Sequence, residues 1–302
     1  MTESRTGKHP ALVVDGVEFG YVSDTTVLHD VDLSIDSGEF VTIIGQNGSG
    51  KSTLVKNVVG LLKPDQGSVT IYDDDGTPYE TTEQPMNVLA RYVGFVFQNP
   101  DDQIFHTSVQ KELTYGLKNI GVPEAERQER IESVLDAVGL STDGSQNPFN
   151  LGKGQRQRLA IAAVLVMRPQ TIIVDEPTTG QDRKESKRIM EILQEYNDEG
   201  HTIIAITHDI ALAAEYTDRV VAIRDGDVIA DGPPERVFLD EQNLKETNIR
   251  PPQITQLGAA LNDRLDADIL EEMWLTTDDA FEDTIDALSE GEAVTKSSRK
   301  HQ

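Results

Sequence analysis

The chain has 302 residues, with 27 lysines and arginines against 53 aspartates and glutamates, a formal net charge of −26 and no cysteine. Such an acidic excess argues against free nucleic acid as a partner, and the missing cysteines exclude disulfides and thiolate-metal sites. The length suits one large α/β domain of about 230–250 residues plus a small appendage, and neither the polar start MTESRTGKHP nor the longest apolar stretch, Leu159–Met167, reads as a signal peptide or bilayer span, so a soluble intracellular protein is expected.

Leu12–Val14 and Val17–Tyr21 are short β-rich stretches punctuated by Gly16, Gly20 and a Ser23–Asp24 turn. With Gly67–Tyr72 they read as a small antiparallel sheet. The apolar run Phe40–Ile44 predicts a buried strand and Ser52–Leu62 a helix. Between them Gly45-Gln46-Asn47-Gly48-Ser49-Gly50-Lys51-Ser52-Thr53 fills every required position of the phosphate-loop pattern G-x-x-x-x-G-K-[ST]. Small glycines let successive backbone N–H groups surround phosphate oxygens, and the helix start adds partial positive charge. Lys51 would reach the β/γ-phosphates of a nucleoside triphosphate and Ser52 would ligate Mg²⁺. A glycine-rich turn with an incidental lysine is the plainer alternative, and the strand and helix flanks weigh against it.

Farther on, Arg91–Phe97 predicts a buried strand, and residues Val109–Leu140 an all-helical stretch broken at Gly121-Val122-Pro123. A helix is expected from Gln155 to about Val166. Strand-like runs then recur at Thr171–Val174, Thr202–Ile206 and Val220–Ile223, and their alternation with helices implies parallel β-α units. The first of these runs ends in Asp175 and Glu176. At a strand's carboxyl end such a pair can hold Mg²⁺ through Asp175 and polarise an attacking water through Glu176, or be plain solvated charge; the phosphate loop upstream favours chemistry.

Leu151-Gly152-Lys153-Gly154-Gln155-Arg156, some twenty residues before that pair, resembles the signature sequence of ABC ATPases, Leu-Ser-Gly-Gly-Gln. Here Gly152 takes the serine position and Lys153 that of the first glycine. Tyr21, Gln98 after a strand, Gly180-Gln181-Asp182 and His208 in Ile206-Thr207-His208-Asp209 match further motifs of the same family in the same order. The resemblance covers residues 11–238. It implies a P-loop ABC ATPase fold: an α/β protein with a RecA-like parallel sheet core, an N-terminal antiparallel β-subdomain, an inserted helical subdomain at about 99–165, and a cassette over 11–240 followed by an acidic C-terminal extension, 241–302. It further implies that Tyr21 stacks on adenine and that Gln98 touches Mg²⁺ and water. His208 would contact the γ-phosphate, and Asp182 would communicate across a dimer. Gly152, Lys153, Gly154 and Gln155 would meet ATP held by a second ABC ATPase subunit, homo- or heterodimeric.

Pro100-Asp101-Asp102-Gln103-Ile104-Phe105 looks like the energy-coupling-factor (ECF) subgroup, which powers uptake of vitamins and of cobalt or nickel. The resemblance implies a short helix here that receives a transmembrane scaffold subunit, with Ile104 and Phe105 as apolar anchors, a separate substrate-binding membrane subunit, and a place on the cytoplasmic face of the membrane. The ATPase of another ABC importer or exporter, or a non-transport mechanical or regulatory ABC protein, are the alternatives.

Pro233-Pro234 and Pro251-Pro252 punctuate the exit. Asp263–Glu292 then carries twelve acids against Arg264, with Leu265, Ile269, Met273, Phe281, Ile285 and Leu288 as candidate helix contacts of a docked appendage or a partly disordered tail. The acids extend from Asp15 to Glu292, which suits a surface that stays hydrated in concentrated salt, where the Debye length is about 3 Å at 1 M. A halophilic cytoplasm is the expectation.

Overall fold

Two sheets organise the chain in a computed structural model that describes residues 9–22, 25–140, 144–239, 250–265 and 274–285. The smaller is antiparallel, in the order β2-β1-β4-β5: β1 (Pro10–Phe19), β2 (Leu28–Asp36), β4 (Gln66–Tyr72) and β5 (Pro78–Glu80). The two short stretches expected at its start form one strand, β1, whose register shifts between Val14 and Val17 against β2. Bulges of this kind absorb the irregularity at Gly16 without ending the pairing. The Ser23–Asp24 turn lies outside the described residues, and β5 is an edge strand that the sequence reading did not anticipate.

The larger sheet has six strands in the order β10-β9-β3-β8-β7-β6: β3 (Phe40–Ile44), β6 (Val93–Val96), β7 (Thr171–Asp175), β8 (Thr202–Ile206), β9 (Arg219–Arg224) and β10 (Asp227–Gly232). All pairings are parallel except β9 with β10. Residues of β3, β7 and β8 are buried throughout, as expected for strands covered on both faces. The alternation shows which layer each side chain meets. Phe40, Ile172, Val174, Ile203 and Ala205 join a core with the helices, whereas Val41, Ile43, Ile173, Ile204 and Ile206 pack with β1, β2 and β4.

The helical side includes α3 (Val109–Asn119), α4 (Glu124–Ala137), α5 (Lys153–Leu165) and α6 (Arg183–Asp198). Helix α1 (Lys51–Val58) follows the phosphate loop and joins the opposite core; it ends before Leu62, its C-cap being Val59. Further helices are α2 (Met86–Leu89), α7 (Ile210–Tyr216), α8 (Pro234–Leu239) and α9 (Gln253–Leu265), and residues 277–285 are helical as well. Among the described residues, no helix is long and apolar enough to cross a membrane.

The C-terminal part is anchored by residues that the sequence reading passed over. Trp274 and Leu275 are buried, Leu275 packing with Phe238, Val237 and Ala213, and the Thr255 hydroxyl donates to the Trp274 carbonyl. Phe281 and Ile285, expected as helix contacts, are instead exposed. Ile269, Met273 and Leu288 lie outside the described residues.

Candidate active site

Because β3, β6, β7 and β8 run parallel, their carboxyl ends share one edge of the sheet, and the loops leaving them converge there. The loop after β3 is the predicted phosphate loop. Gly45 has φ 152° and a Cβ there would lie 2.2 Å from the Ile223 carbonyl oxygen, so only glycine allows this backbone its close approach to β9. Lys51 is only 6 % exposed, and its ammonium donates to the carbonyls of Gly45 and Gln46, both at 2.8 Å. Burial pushes that ammonium below its ordinary pKa, while Glu176 and Asp175 act in the opposite direction.

Asp175 closes β7 and is 7 % exposed. Burial raises its carboxyl above the ordinary carboxylate range, partly offset by a hydrogen bond with Ser52 and by the charge of Lys51. A hydroxyl set against a buried carboxylate, with the Gln98 amide lining the same cleft, is an all-oxygen donor set. Such a set suits magnesium and not a soft metal.

Glu176 follows in a left-handed backbone conformation, φ 50°, which is costly for a side chain of this size. Its N–H donates to the Ile206 carbonyl at 2.8 Å, extending the β7–β8 ladder by one rung. The side chain is 7 % exposed and both carboxylate oxygens are engaged: Oε1 lies 2.5 Å from His208 Nε2, and Oε2 accepts from the Thr179 hydroxyl at 2.8 Å. His208 itself is half exposed. These groups enclose a cleft of about 360 Å³ lined by Tyr21, residues Asn47 to Thr53, Gln98, Asp175, Glu176 and His208, joined by Val27. Tyr21 stands at 57 % exposure, edge-on to Phe19 and with its hydroxyl 3.2 Å from Thr53 Oγ1. An exposed ring held in this way offers a flat surface to a base.

The segment 152–155 does not line this cleft. Gly152 caps α5, its N–H donating to Gln155 Oε1 at 3.0 Å, and Gly152, Lys153 and Gln155 are exposed. The helix start instead packs on α6 of its own chain. A Cβ on Gly154 would come within 3.1 Å of the Glu185 carboxyl and 3.2 Å of Gln181, and Arg158 forms an ion pair with Glu185. Asp182 caps α6, accepting from the Glu185 N–H at 2.9 Å.

The ABC transporter family matches residues 28–179. An energy-coupling factor transporter ATP-binding protein of Methanocaldococcus jannaschii is 38 % identical over 244 residues, 81 % of this chain and 86 % of that protein. This chain belongs to the ABC transporter ATPase family. A putative ABC transporter ATP-binding protein of Caldanaerobacter subterraneus is 43 % identical over 245 residues, but the chain spans only 42 % of that relative's length. Among solved structures, cbiO1 from Clostridium perfringens, part of the ABC transporter complex cbiONQ, is 36 % identical with a TM-score of 0.70, covering 83 % of this chain and 99 % of that one. A dimeric ATP-binding cassette bound to ADP and Pi is 30 % identical with a TM-score of 0.65, covering 74 % and 98 %. The ABC ATPase is thus an ATP-hydrolysing cassette, and its α/β architecture is that of its structural neighbours.

In this ABC ATPase the segment 100–105 forms a single 3₁₀ turn, Pro100–Asp102, capped by the Asn99 side chain. Ile104, expected as an anchor for a partner, is 3 % exposed and belongs to the chain's own core, where it joins the cluster that includes Val109 and Leu113 of α3; Pro100 is buried too. Gln103 is spent internally, accepting from the Phe97 N–H at 3.1 Å and donating to the Ala160 carbonyl at 2.8 Å, while Asp101 pairs with Arg156 at 2.7 Å. Phe105 alone of the apolar pair is exposed, at 58 %, edge-on to Tyr115. Sequence reasoning overlooked Thr179, although a hydroxyl three residues beyond an acid in a tight turn is placed to meet it, and Val27, whose role has no local signal.

Proposed function

We propose that the chain is the ATP-hydrolysing subunit of an ECF-type importer for a vitamin or a transition metal ion, with ATP-driven dimer closure coupled to a transmembrane scaffold subunit. The observation that carries this reading is the division of phosphate-binding elements: Lys51, Asp175, Glu176 and His208 share one cleft, whereas the exposed helix start at Gly152–Gln155 opens elsewhere. A cleft of this kind is completed by the α5 start of a second subunit. The energy-coupling-factor names of relatives matched over most of their length support the transport role.

In the proposed mechanism Tyr21 stacks on the base, and the amides of residues Gly48 to Thr53 with the Lys51 ammonium bind the phosphates. Ser52 and Asp175, with Gln98 beside them, would hold magnesium, which would neutralise phosphate charge when bound. Glu176 accepts the proton of the attacking water through a remaining lone pair of its carboxylate, and His208, already against Oε1, orients that carboxylate and faces the γ-phosphate. Closure around nucleotide brings both halves together and hydrolysis reopens them.

A groove of about 660 Å³ between α2, α3 and α5 suits the scaffold contact, with Met86, Phe95, Phe105, Tyr115 and Met167 as its apolar lining. The acidic surface, on this reading, stays hydrated at molar salt, and a melting temperature that rises from dilute buffer to molar KCl supports it. The deciding experiment is tagged purification from membranes. Recovery with a multi-span scaffold and a small substrate-binding membrane protein, lost in Phe105→Asp, is expected; recovery with ribosomes or DNA overturns the reading. Hydrolysis by the chain alone is expected to rise more steeply than linearly with protein concentration.

A further inference from the structure

We infer that Lys153 is a positioning residue for the Glu176 carboxylate of its own chain, acting through Thr179. This rests on the reading that Glu176 polarises the attacking water. Where the ABC signature pattern has a glycine, this chain has a side chain long enough to leave α5 and reach the turn after β7. The Lys153 ammonium donates to the Thr179 carbonyl at 3.3 Å. Thr179 in turn closes on Glu176 twice, its N–H donating to the Glu176 carbonyl at 3.1 Å and its hydroxyl to Glu176 Oε2 at 2.8 Å. Two hydrogen bonds that meet at Thr179, one accepted by its carbonyl and one donated by its hydroxyl, thus link the first residue of α5 to a buried carboxylate oxygen.

Two features make that tether consequential. Glu176 sits at φ 50°, so the turn is not held by the residue's own backbone preference and depends on contacts from outside it. The α5 start also lies beside the turn, because Gly154 abuts Gln181 and Glu185 and Arg158 pairs with Glu185. Lys153 therefore spans a short, defined gap. His208 fixes the other carboxylate oxygen, Oε1, so loss of the Thr179 hydroxyl contact leaves the carboxylate free to rotate about its own axis. The segment proposed to meet the partner's nucleotide and the carboxylate proposed to act on this chain's own nucleotide are joined within one molecule.

The test is ATP hydrolysis by the purified 302-residue chain as Lys153→Gly, Lys153→Arg, Thr179→Val and the Lys153→Gly/Thr179→Val double variant, with melting curves to confirm folding. Lys153→Gly is expected to lower kcat about fivefold while KM for ATP moves less than about twofold, and Lys153→Arg to restore kcat within about twofold. In the Thr179→Val background, Lys153→Gly is expected to cost less than about a further twofold, because the path it acts through is already cut. The inference is overturned by an unchanged kcat in Lys153→Gly, by the same loss in both backgrounds, or by a rise in KM alone, which would place the ammonium on the nucleotide itself. Glu176→Gln separates the two levels: if it turns over normally, the assignment of Glu176 fails whatever Lys153 does.

Discussion

The cleft around Lys51 and the exposed start of α5 are assembled from different materials, although both are proposed to meet phosphate. In the cleft, Lys51, Asp175 and Glu176 are each at most 7 % exposed, opposite charges are held together at a cost in desolvation, and Gly45 and Glu176 adopt conformations that most residues avoid. At the α5 start, Gly152 has an ordinary φ of −64°, Lys153 and Gln155 are solvent-exposed, and the long Lys153 side chain reaches to another loop. Buried charge and constrained backbone make a preorganised cradle, because rearranging either is costly. An exposed helix end held by side-chain contacts can shift with the helical layer, as a surface that must meet and leave a partner needs to do.

The largest effect that would break this contrast is at Glu176. Glu176→Gln keeps the size of the side chain and an oxygen for Thr179 but removes the base, so hydrolysis is expected to fall on the order of 10²–10⁴-fold while ATP binding persists. Phosphate release, with size-exclusion chromatography in ATP to detect a trapped dimer, checks it. Undiminished turnover removes Glu176 from the chemistry.

A pair of glycine substitutions sharpens the contrast at the level of backbone. Gly45→Ala forces a Cβ to 2.2 Å from the Ile223 carbonyl oxygen at a φ of 152°, and is expected to cost on the order of 1–3 kcal/mol or more together with most of the nucleotide affinity. In Gly152→Ala the new Cβ would find its nearest neighbour, Gln155 Oε1, at 3.6 Å, an ordinary contact, so stability should move by no more than about 0.5 kcal/mol. Denaturant melts of the two variants decide the matter; equal losses would show that the two glycines are equally constrained.

The same division explains what could be read from the sequence. The phosphate loop, the acid pair and the order of motifs were legible because their chemistry is local: residue types at fixed spacing, flanked by a buried strand and a helix. The parallel sheet followed from alternation of apolar runs with helices. The links Lys153–Thr179, Asp101–Arg156, Gln103–Ala160 and Arg158–Glu185 were not legible, since each joins residues whose proximity only the tertiary fold creates. Ile104 was misassigned for a related reason: an apolar residue after a proline turn satisfies either a partner or the chain's own core, and here the core takes it. The left-handed Glu176 had no signal at all, because no glycine marks the position.

Asp175 yields a smaller effect with a definite sign. Burial holds its folded carboxyl pKa above the ordinary 3.8, so in that window the folded chain retains a proton that the unfolded chain releases. Stability therefore falls as pH rises from 3.8 through the raised value and stays lowered above it. Asp175→Asn removes this cost. Without nucleotide the variant is expected to melt higher than the native chain at pH 7, with the gap closing in acid, while magnesium-dependent hydrolysis drops steeply. Melting curves at the two pH values check the sign, and a variant less stable at pH 7 would show that the hydrogen bond with Ser52 and the charge of Lys51 outweigh burial.

The smallest effect belongs to the α5 side. Asp101 pairs with Arg156 at 2.7 Å, but the aspartate is 46 % exposed, and exposed ion pairs contribute about 0–1 kcal/mol. Arg156 also keeps its bond to the Leu151 carbonyl at 2.6 Å, so the guanidinium does not lose its place when the pair is cut. Asp101→Asn should thus lower the melting temperature by no more than about 2–4 °C, the shift that about 1 kcal/mol produces in a chain of this size. Gln103 still ties the Phe97 N–H to the Ala160 carbonyl in that variant, so the loop after β6 and α5 stay joined. A drop of many degrees would mean that the α5 start is held as rigidly as the cleft, and the distinction between a fixed cradle and an adjustable partner surface would fail.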